Sequence, residues 1–591
     1  VRIAGGTWTL WLVAGCCLVT VLVPGLGWVA VLGLIAALVL FRGAGEWFGS
    51  LPKADRWALG LFMLSATMGL VTAYDPASAL RKYYVLAASC LLFLAVSSLP
   101  KRSGILLING SIAIGVLLSV YFILSGDWQR WPADFELIDR IASRWQAFRP
   151  DLSLPPIHPN FVGGALAMLL PIPLFNLVGL VIRREVTRAV PLSLAGLLMA
   201  ATLILTSSRG AWAALAAGLI VVCAVLLLRR PAGRPWPWPR IAVLALLVGG
   251  VASLAGRSLP AVLSSGVAET NRFTLFANSF QLVRDFAFTG GGLSSFPGLY
   301  SRYVLVIPDL FLEYSHNLYL DLLIEQGLLG LLAVSMLFLL SLLRILRFTW
   351  QGRETGEAKW LGLGLLAGSL VILLHGFIDD PLYGKSGSPL LFLIPAEVNF
   401  LTAAITQPAD KRHDRLPFSA RKWAVGAAFL LLGMVLMSGN AISSSFLANI
   451  GAVRMAKVEL RGWPDGFRWG EQVQVAASAV PELVRALALD PEQATASYRL
   501  GLIDLAAGEY DAAVDRLLVA HDRRPSHRGV TKTLGYAELW RGDIGAGVQL
   551  LRTIPESTQE LGVYEWWWGE QGQLELADRA SIALDELEAG R

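Results

Sequence analysis

Three side chains in this sequence are best placed to do chemistry: Arg209 in Ser208-Arg209-Gly210-Ala211, Arg272 in Asn271-Arg272, and His316 in Ser315-His316-Asn317-Leu318-Tyr319. A guanidinium presents a fixed fork to phosphate oxygens. An imidazole that titrates near neutrality can take the proton of a hydroxyl as the hydroxyl attacks. Gly210 lets the backbone come close to a ligand. A second polar group, His375, Asp379 and Asp380, holds two carboxylates that could orient His316, bind an acceptor, hold a cation or cap a helix. Asn160 and the pair Arg81-Lys82 are further candidates. Gly290, Gly291 and Gly292 form a run whose amides could cradle an anion. Arg284 and Arg302 would take the place of Arg272 if Arg272 instead pairs with Glu269.

The elements that must position these groups are apolar. The chain has 591 residues, 55% hydrophobic and 16% charged, with a mean hydropathy of +0.57. This composition belongs to a lipid environment. Apolar runs near the length of a bilayer crossing fall at 8–24, 27–41, 57–73, 84–99, 104–125, 160–182, 190–206, 211–228, 241–256, 327–347, 360–377, 388–405 and 423–446, about thirteen spans in all. The first is expected to be a retained span, because it lacks a convincing small-residue cleavage site. Ionisable residues at the edges of such segments are costly in lipid, so they usually contact substrate, ions or a cavity. The four cysteines, Cys16, Cys17, Cys90 and Cys223, lie within the apolar runs, which argues against disulfides and a thiolate zinc site. The net charge of +5 comes from basic residues in short loops and implies no nucleic acid.

Alternate connections carry the Lys and Arg residues: Arg42, Lys53 and Arg56; Lys101 and Arg102; Arg183, Arg184 and Arg188; Arg229 to Arg240; Arg344 to Lys359; Lys411 to Lys422. The positive-inside rule makes these cytoplasmic. The opposite face then receives 73–83, the long loops 126–159 and 257–318, the 206–210 turn, 376–387 and everything after 446, which puts the chemical candidates on one outer surface. The aromatics of the long loops suit segments lying in the membrane interface. These outer loops have no Asp-X-Asp and no His/carboxylate helix spacing, so no metal and no cofactor is expected.

Beyond 446 the composition turns soluble. Pro491, Leu500-Gly501, Gly508, Ala513 and Leu517 recur as Pro525, Leu534-Gly535, Gly542, Gly547 and Leu551, offset by 34, the tetratricopeptide period. Ala479, Leu483 and Ala486 fit the second helix of an earlier repeat. The expected organisation is a membrane domain over 1–446, a linker over 447–469 and helical repeats over 470–591 that bind a protein partner, position the enzyme or cap it.

The three motifs in this order resemble the O-antigen ligase and polymerase superfamily of bacterial membrane glycosyltransferases. The resemblance rests on Ser208 to Ala211, on Asn271-Arg272 with Gly290 to Phe296 downstream, and on Ser315-His316-Asn317-X-Tyr319 continuing to Glu325-X-Gly327 and Gly330. It covers about residues 1–405. The fold it implies is an all-α, GT-C-like polytopic bundle of about 12–13 spans, here extended by the repeats. The activity it implies is metal-independent, inverting transfer of a glycan from undecaprenyl diphosphate to a hydroxyl of a glycan, lipid or protein acceptor, outside the cytoplasmic membrane. Arg209 and Arg272 would bind the diphosphate and His316 would activate the hydroxyl, orient it or protonate the leaving phosphate. Ser208, Gly210, Asn317, Tyr319, Arg284, Arg302, Asp379, Asp380, His375 and Asn160 are the expected substrate-binding positions. A polymerase, a protein O-oligosaccharyltransferase or a flippase for lipid-linked sugars would use a similar frame.

Overall fold

The computed structural model describes residues 15–16, 19, 28–29, 31–35, 51–99, 104–228, 271–308, 312–351, 356–405, 439–464 and 472–590. The predicted run at 241–256, Glu269, most of 423–446, and the basic stretches at Arg229–Arg240 and Lys411–Lys422 fall outside them, and the runs at 8–24 and 27–41 are described only in part. Every regular element among the described residues is helical. In chain order from residue 53 these are α1 (Lys53–Thr72), α2 (Pro76–Ser97), α3 (Gly104–Ser125), α4 (Glu136–Phe148), α5 (Pro159–Leu169), α6 (Pro171–Ile182), α7 (Val186–Leu205), α8 (Arg209–Leu228), α9 (Arg272–Phe286) and α10 (Phe296–Tyr300), which runs on into a π-helical turn at Ser301–Leu305. Then follow α11 (Leu318–Gln351), α12 (Glu357–His375), α13 (Pro381–Gly384), α14 (Ser388–Ile405), α15 (Gly439–Glu459), α16 (Gln472–Leu489), α17 (Ala494–Ala507), α18 (Tyr510–Arg523), α19 (Arg528–Arg541), α20 (Ile544–Leu551), α21 (Ser557–Glu570) and α22 (Leu574–Ala589).

Seven helical stretches among the described residues are long and apolar enough to cross a membrane: Pro76–Ser97, Leu107–Ser125, Pro159–Ile182, Val186–Leu205, Arg209–Leu227, Leu318–Trp350 and Glu357–His375. Ser388–Ala403 is a shorter apolar helix. Their starts are chemically marked. Pro76 follows Asp75, whose carboxylate accepts from the amides of Ala77 and Ser78, and Pro159 follows His158, whose Nδ1 accepts from the amide of Asn160. Proline at the first helical position gives up an amide that would have no partner there anyway.

The break in α11 at Gly327 (φ 67°, ψ −169°) orders the site. The glycine run plugs into it: the Gly291 amide donates to the Ile324 carbonyl at 2.6 Å, the Leu328 amide to the Ala287 carbonyl at 2.7 Å, and the Leu293 amide to the Gly69 carbonyl at 2.9 Å. A Cβ on Gly290 (φ 72°) would stand 2.3 Å from the Glu325 carbonyl oxygen, and one on Gly327 2.6 Å from that of Phe288. Only glycine fits such backbone contact at positive φ. These glycines therefore join the 287–295 turn to a broken helix, the amides of Gly290, Gly291 and Leu293 being taken up by backbone carbonyls in place of the anion cradle expected of the run.

The C-terminal helices stack in antiparallel pairs. A Cβ on Gly451 of α15, Gly501 of α17 or Gly535 of α19 would lie 2.6–2.7 Å from the nearest carbon of Leu483, Leu517 or Leu551 on the paired helix. The same small-to-large contact thus recurs along the stack. Gly508 (φ 80°) and Gly542 (φ 113°) end α17 and α19 in the left-handed conformation that helix termini favour. The segment expected to be a linker is helical as far as Glu459 and forms the first helix of this stack.

This stack grips the arm 271–308. Asp285, at the far end of α9 from Arg272, is fully buried between Arg499 (2.9 Å), Arg524 (2.6 Å) and the Thr495 hydroxyl (2.8 Å). Lys532 donates to the Leu305 carbonyl at 2.9 Å, and Tyr498 to the Tyr303 carbonyl at 3.0 Å. The Arg499 guanidinium lies 3.3 Å from the Tyr303 ring centroid. Asn449 accepts from the amides of Phe288 and Thr289, both at 3.0 Å.

Candidate active site

The turn between α7 and α8, the first residue of α9, the entry to α11 and the turn after α12 meet at one end of the bundle. They enclose a cavity of about 300 Å³ lined by Asp134, Asn160, Ser207, Ser208, Arg209, Gly210, Arg272, Leu275, Leu312, His316, Ile378 and Asp379. The three motifs that lie far apart in sequence therefore share one pocket.

Local hydrogen bonds explain how His316 reaches it. The Asn317 side chain caps α11 by accepting from the amides of Tyr319 (3.1 Å) and Leu320 (3.2 Å), and the Ser315 amide donates to Asp321 at 2.8 Å. The Leu318 amide donates to the Gly376 carbonyl at 2.8 Å, tying this turn to the end of α12. His316 between them is held at φ 59°, and Ser207, two residues before Arg209, at φ 51°. Non-glycine residues in the left-handed region carry on the order of 1–3 kcal/mol of strain, and such strain concentrates at functional sites.

The two turns bring His316 Nδ1 within 2.7 Å of Asp379 Oδ1. The other carboxylate oxygen accepts from Asn160 Nδ2 at 2.8 Å and lies 3.7 Å from Arg272 Nη2. His316 and Arg272 keep 18% and 19% of their side-chain surface exposed, against 6% for Asp379. With Nδ1 engaged on a carboxylate, Nε2 is the nitrogen left for a ligand. Arg209 faces the same space, its Nε 3.0 Å from Asp134 and its guanidinium 5.5 Å from the Phe135 ring centroid. Both arginines thus lie beside carboxylates, Arg209 beside Asp134 and Arg272 beside Asp379. His158 lies beside this group, and burial, reinforced by Lys385, holds its pKa below the ordinary value, so it is neutral at pH 7.

Several expected substrate-binding residues are elsewhere. Arg302 is buried against Glu459 and the Tyr303 ring, within the junction to the C-terminal stack. Arg284 is exposed on α9 outside the cavity. Asn317 and Tyr319 are spent on the fold: Asn317 Nδ2 donates to the Phe377 carbonyl at 3.2 Å and the Tyr319 hydroxyl to the Leu373 carbonyl at 2.9 Å. Asp380 is turned away and buried, capping α13 by accepting from the Tyr383 amide at 3.2 Å, and burial beside Asp321 raises its pKa well above the usual carboxylate range. His375 is buried behind Gly164 and Gly210 and does not line the cavity. Asp134 and Phe135 were not singled out by sequence, although their loop was; an acid between aromatics in that loop is the signal that could have found them. Among the described residues no three His, Cys, Asp or Glu side chains converge as metal ligands would.

The family model described as O-Antigen ligase matches residues 194–335. The match supports the O-antigen ligase superfamily. It includes Arg209, Arg272 and His316 and stops short of Asn160 and Asp379, which the fold adds to the same pocket. No curated protein matches the chain. The O-antigen ligase match, with the apolar helices, supports a multi-pass membrane protein of glycosyltransferase type, a family for which lipid-linked glycans and their acceptors are the implied substrates.

Proposed function

We propose that this protein transfers a glycan from undecaprenyl diphosphate to an acceptor hydroxyl at the outer face of the bacterial cytoplasmic membrane, with inversion and without a metal. The observation that carries the reading is the convergence of Arg209, Arg272 and the His316–Asp379 pair on one cavity at a helix-bundle end. The hydroxyl oxygen attacks the anomeric carbon while the bond from that carbon to the phosphate oxygen breaks. The electron pair leaves with the diphosphate, and the hydroxyl proton passes to His316 Nε2. Asp379 then stabilises the imidazolium, as a carboxylate does for a catalytic histidine elsewhere. Arg209 and Arg272 exchange Asp134 and Asp379 for the diphosphate, whose charge grows as the bond breaks; cations fixed in advance stabilise that charge without reorganisation. Attack opposite the leaving group inverts the anomeric centre.

Residues from 439 onward act in this reading as tetratricopeptide-like pairs, with α15 joined to them. The acceptor is a hydroxyl-bearing glycan, lipid or protein. The test is in vitro transfer from a synthetic lipid-diphosphate glycan by purified protein, with the product analysed by mass and by the NMR coupling of its anomeric proton. Transfer with inversion, lost in His316→Ala and Arg209→Ala variants that still fold, is the expected result. Lipid movement across a vesicle membrane without a covalent product would replace the reading by transport.

A further inference from the structure

Arg81 and Lys82, singled out in the sequence, have no part in the reaction above. They line a second cavity, of about 470 Å³, between α2, the turn before α10, the turn after α13 and the end of the α15 segment. At its floor is a buried ion pair, Lys82 to Glu325 at 2.7 Å. The Lys82 ammonium also lies 4.0 Å from the Tyr383 ring centroid, and Glu325 accepts from the Tyr383 hydroxyl and the Ser294 amide, both at 3.0 Å. A buried pair is held in place by such surrounding bonds. This one opens onto a cavity.

The walls have a definite chemistry. Lys82 is balanced by Glu325, Lys385 by Glu313 at 2.8 Å, and Arg81 stands with Asp75 at the rim. Three cations against three carboxylates give neither an anion nor a cation a net field to bind. A neutral ligand with many hydroxyls finds acceptors and donors side by side. Tyr74 and Trp463 add an aromatic corner, ring centroids 6.3 Å apart at 86°, with the Trp463 indole fixed by donation to the Pro308 carbonyl at 2.9 Å. Aromatic rings with a polar edge suit ligands that are apolar on one face and polar at the rim, as a pyranose ring is.

The cavity adjoins the first. Glu313 lines one and His316 the other, and the wall between them is Tyr314, whose ring centroid is 4.3 Å from that of His316. Gly384 backs this wall so closely that a Cβ there would stand 2.7 Å from Tyr314 Cγ.

We propose that the second cavity is a saccharide subsite, holding sugar units beyond the reacting one, and that Trp463 and Lys385 set which glycan is accepted. The proposal rests on the glycosyl-transfer reading. The sugars can belong to the donor or to the acceptor, and the experiment separates them. Full-length protein in nanodiscs is assayed with donors carrying one sugar or several repeat units, and with acceptors that are mono- or oligosaccharides. Trp463→Ala is expected to raise KM about tenfold, the loss of one modest contact, only for the substrate that carries an oligosaccharide, with kcat unchanged and Trp463→Phe largely restoring it. A rise confined to the long donor assigns the subsite to the donor, and one confined to the long acceptor assigns it to the acceptor. Equal effects on single-sugar and long substrates, or none on either, would overturn the proposal. Calorimetric titration of free oligosaccharide into His316→Ala protein separates this outcome from failure of the transfer reading. Binding that Trp463→Ala removes and inorganic diphosphate does not displace supports the subsite even where no transfer is found. Displacement by diphosphate, or no binding, refutes it.

Discussion

His527 gives the C-terminal stack an acid sensitivity whose size follows from its surroundings. The side chain is fully buried at the start of α19, its Nδ1 accepting from the Val530 amide and its ring 5.2 Å from that of Tyr498. Burial, with Arg524 and Arg499 outweighing part of the opposing pull of Asp285, lowers its pKa from 6.5 to about 3. The unfolded chain takes up a proton near pH 6.5 that the folded chain refuses until about pH 3. The stability contributed is therefore complete above 6.5 and lost as pH falls. Between pH 7 and 5 linkage gives a loss of about 2 kcal/mol, or about a 25-fold increase in local opening. Asp285 does not contribute in this window. Burial raises its pKa, but Arg524 and Arg499 more than offset that and bring it from 3.8 to about 2, so its contribution fades only below about pH 4. The perturbation is His527→Gln, which copies the preceding repeat, where Gln493 accepts from the Thr495 amide at 2.8 Å. Hydrogen exchange of peptides within 528–541, corrected for intrinsic rates, should show the increase in the unmutated protein and little of it in the variant. An equal acid response in both, or none in either, would refute the assignment of this sensitivity to His527.

Other outcomes follow from the same contacts. Asp379→Asn keeps the shape that holds His316 but removes the charge, and should lower kcat by about 10²–10⁴-fold with the fold intact; single-turnover transfer measures it, and a change below about threefold would remove Asp379 from the reaction. Asp134→Ala frees Arg209 from its resting partner and should lower the KM for the lipid-diphosphate donor, seen in steady-state titration; an increase would make Asp134 an organiser of Arg209 instead of a competitor. Asp285→Asn leaves Arg499 and Arg524 buried beside a neutral group and should destabilise the arm–stack junction by about 3–5 kcal/mol, measured by limited proteolysis within 271–308. Gly290→Ala places a methyl against the Glu325 carbonyl at a positive φ and should lower the melting temperature in detergent; an unchanged value would mean the α11 break can yield.

The site was legible in sequence where residue type alone carries the meaning. Arg209 and His316 stand out because charge and imidazole are expensive at the ends of apolar helices, Arg272 because it stands between them in a long loop ahead of a glycine run, and the structure gathers all three. Which of Asp379 and Asp380 faces His316 depends on the path of a single turn, fixed by the Leu318–Gly376 backbone bond, and no local pattern encodes that. Arg302 read like a second phosphate ligand because its partner, Glu459, is remote in sequence. The glycine run read like an anion cradle because its amides looked free, and only the break at Gly327 shows where they go. The 34-residue period located α17 to α20, but α15 escaped it because the stretch between Gly451 and α16 is too long for the register, while the Gly451–Leu483 contact is kept in space. Asp134 is marked only by its place between Trp131 and Phe135 in a long loop.

The hold of the C-terminal helices on Asp285 sets an order of events during synthesis. Residues 272–286 leave the ribosome well before Arg499 and Arg524, the groups that neutralise the far end of that helix. A chain interrupted before residue 494 lacks Thr495, Arg499 and Arg524 and leaves Asp285 without the partners that neutralise it. The helix that opens with Arg272 is thus secured at its far end by side chains made 214 and 239 positions later.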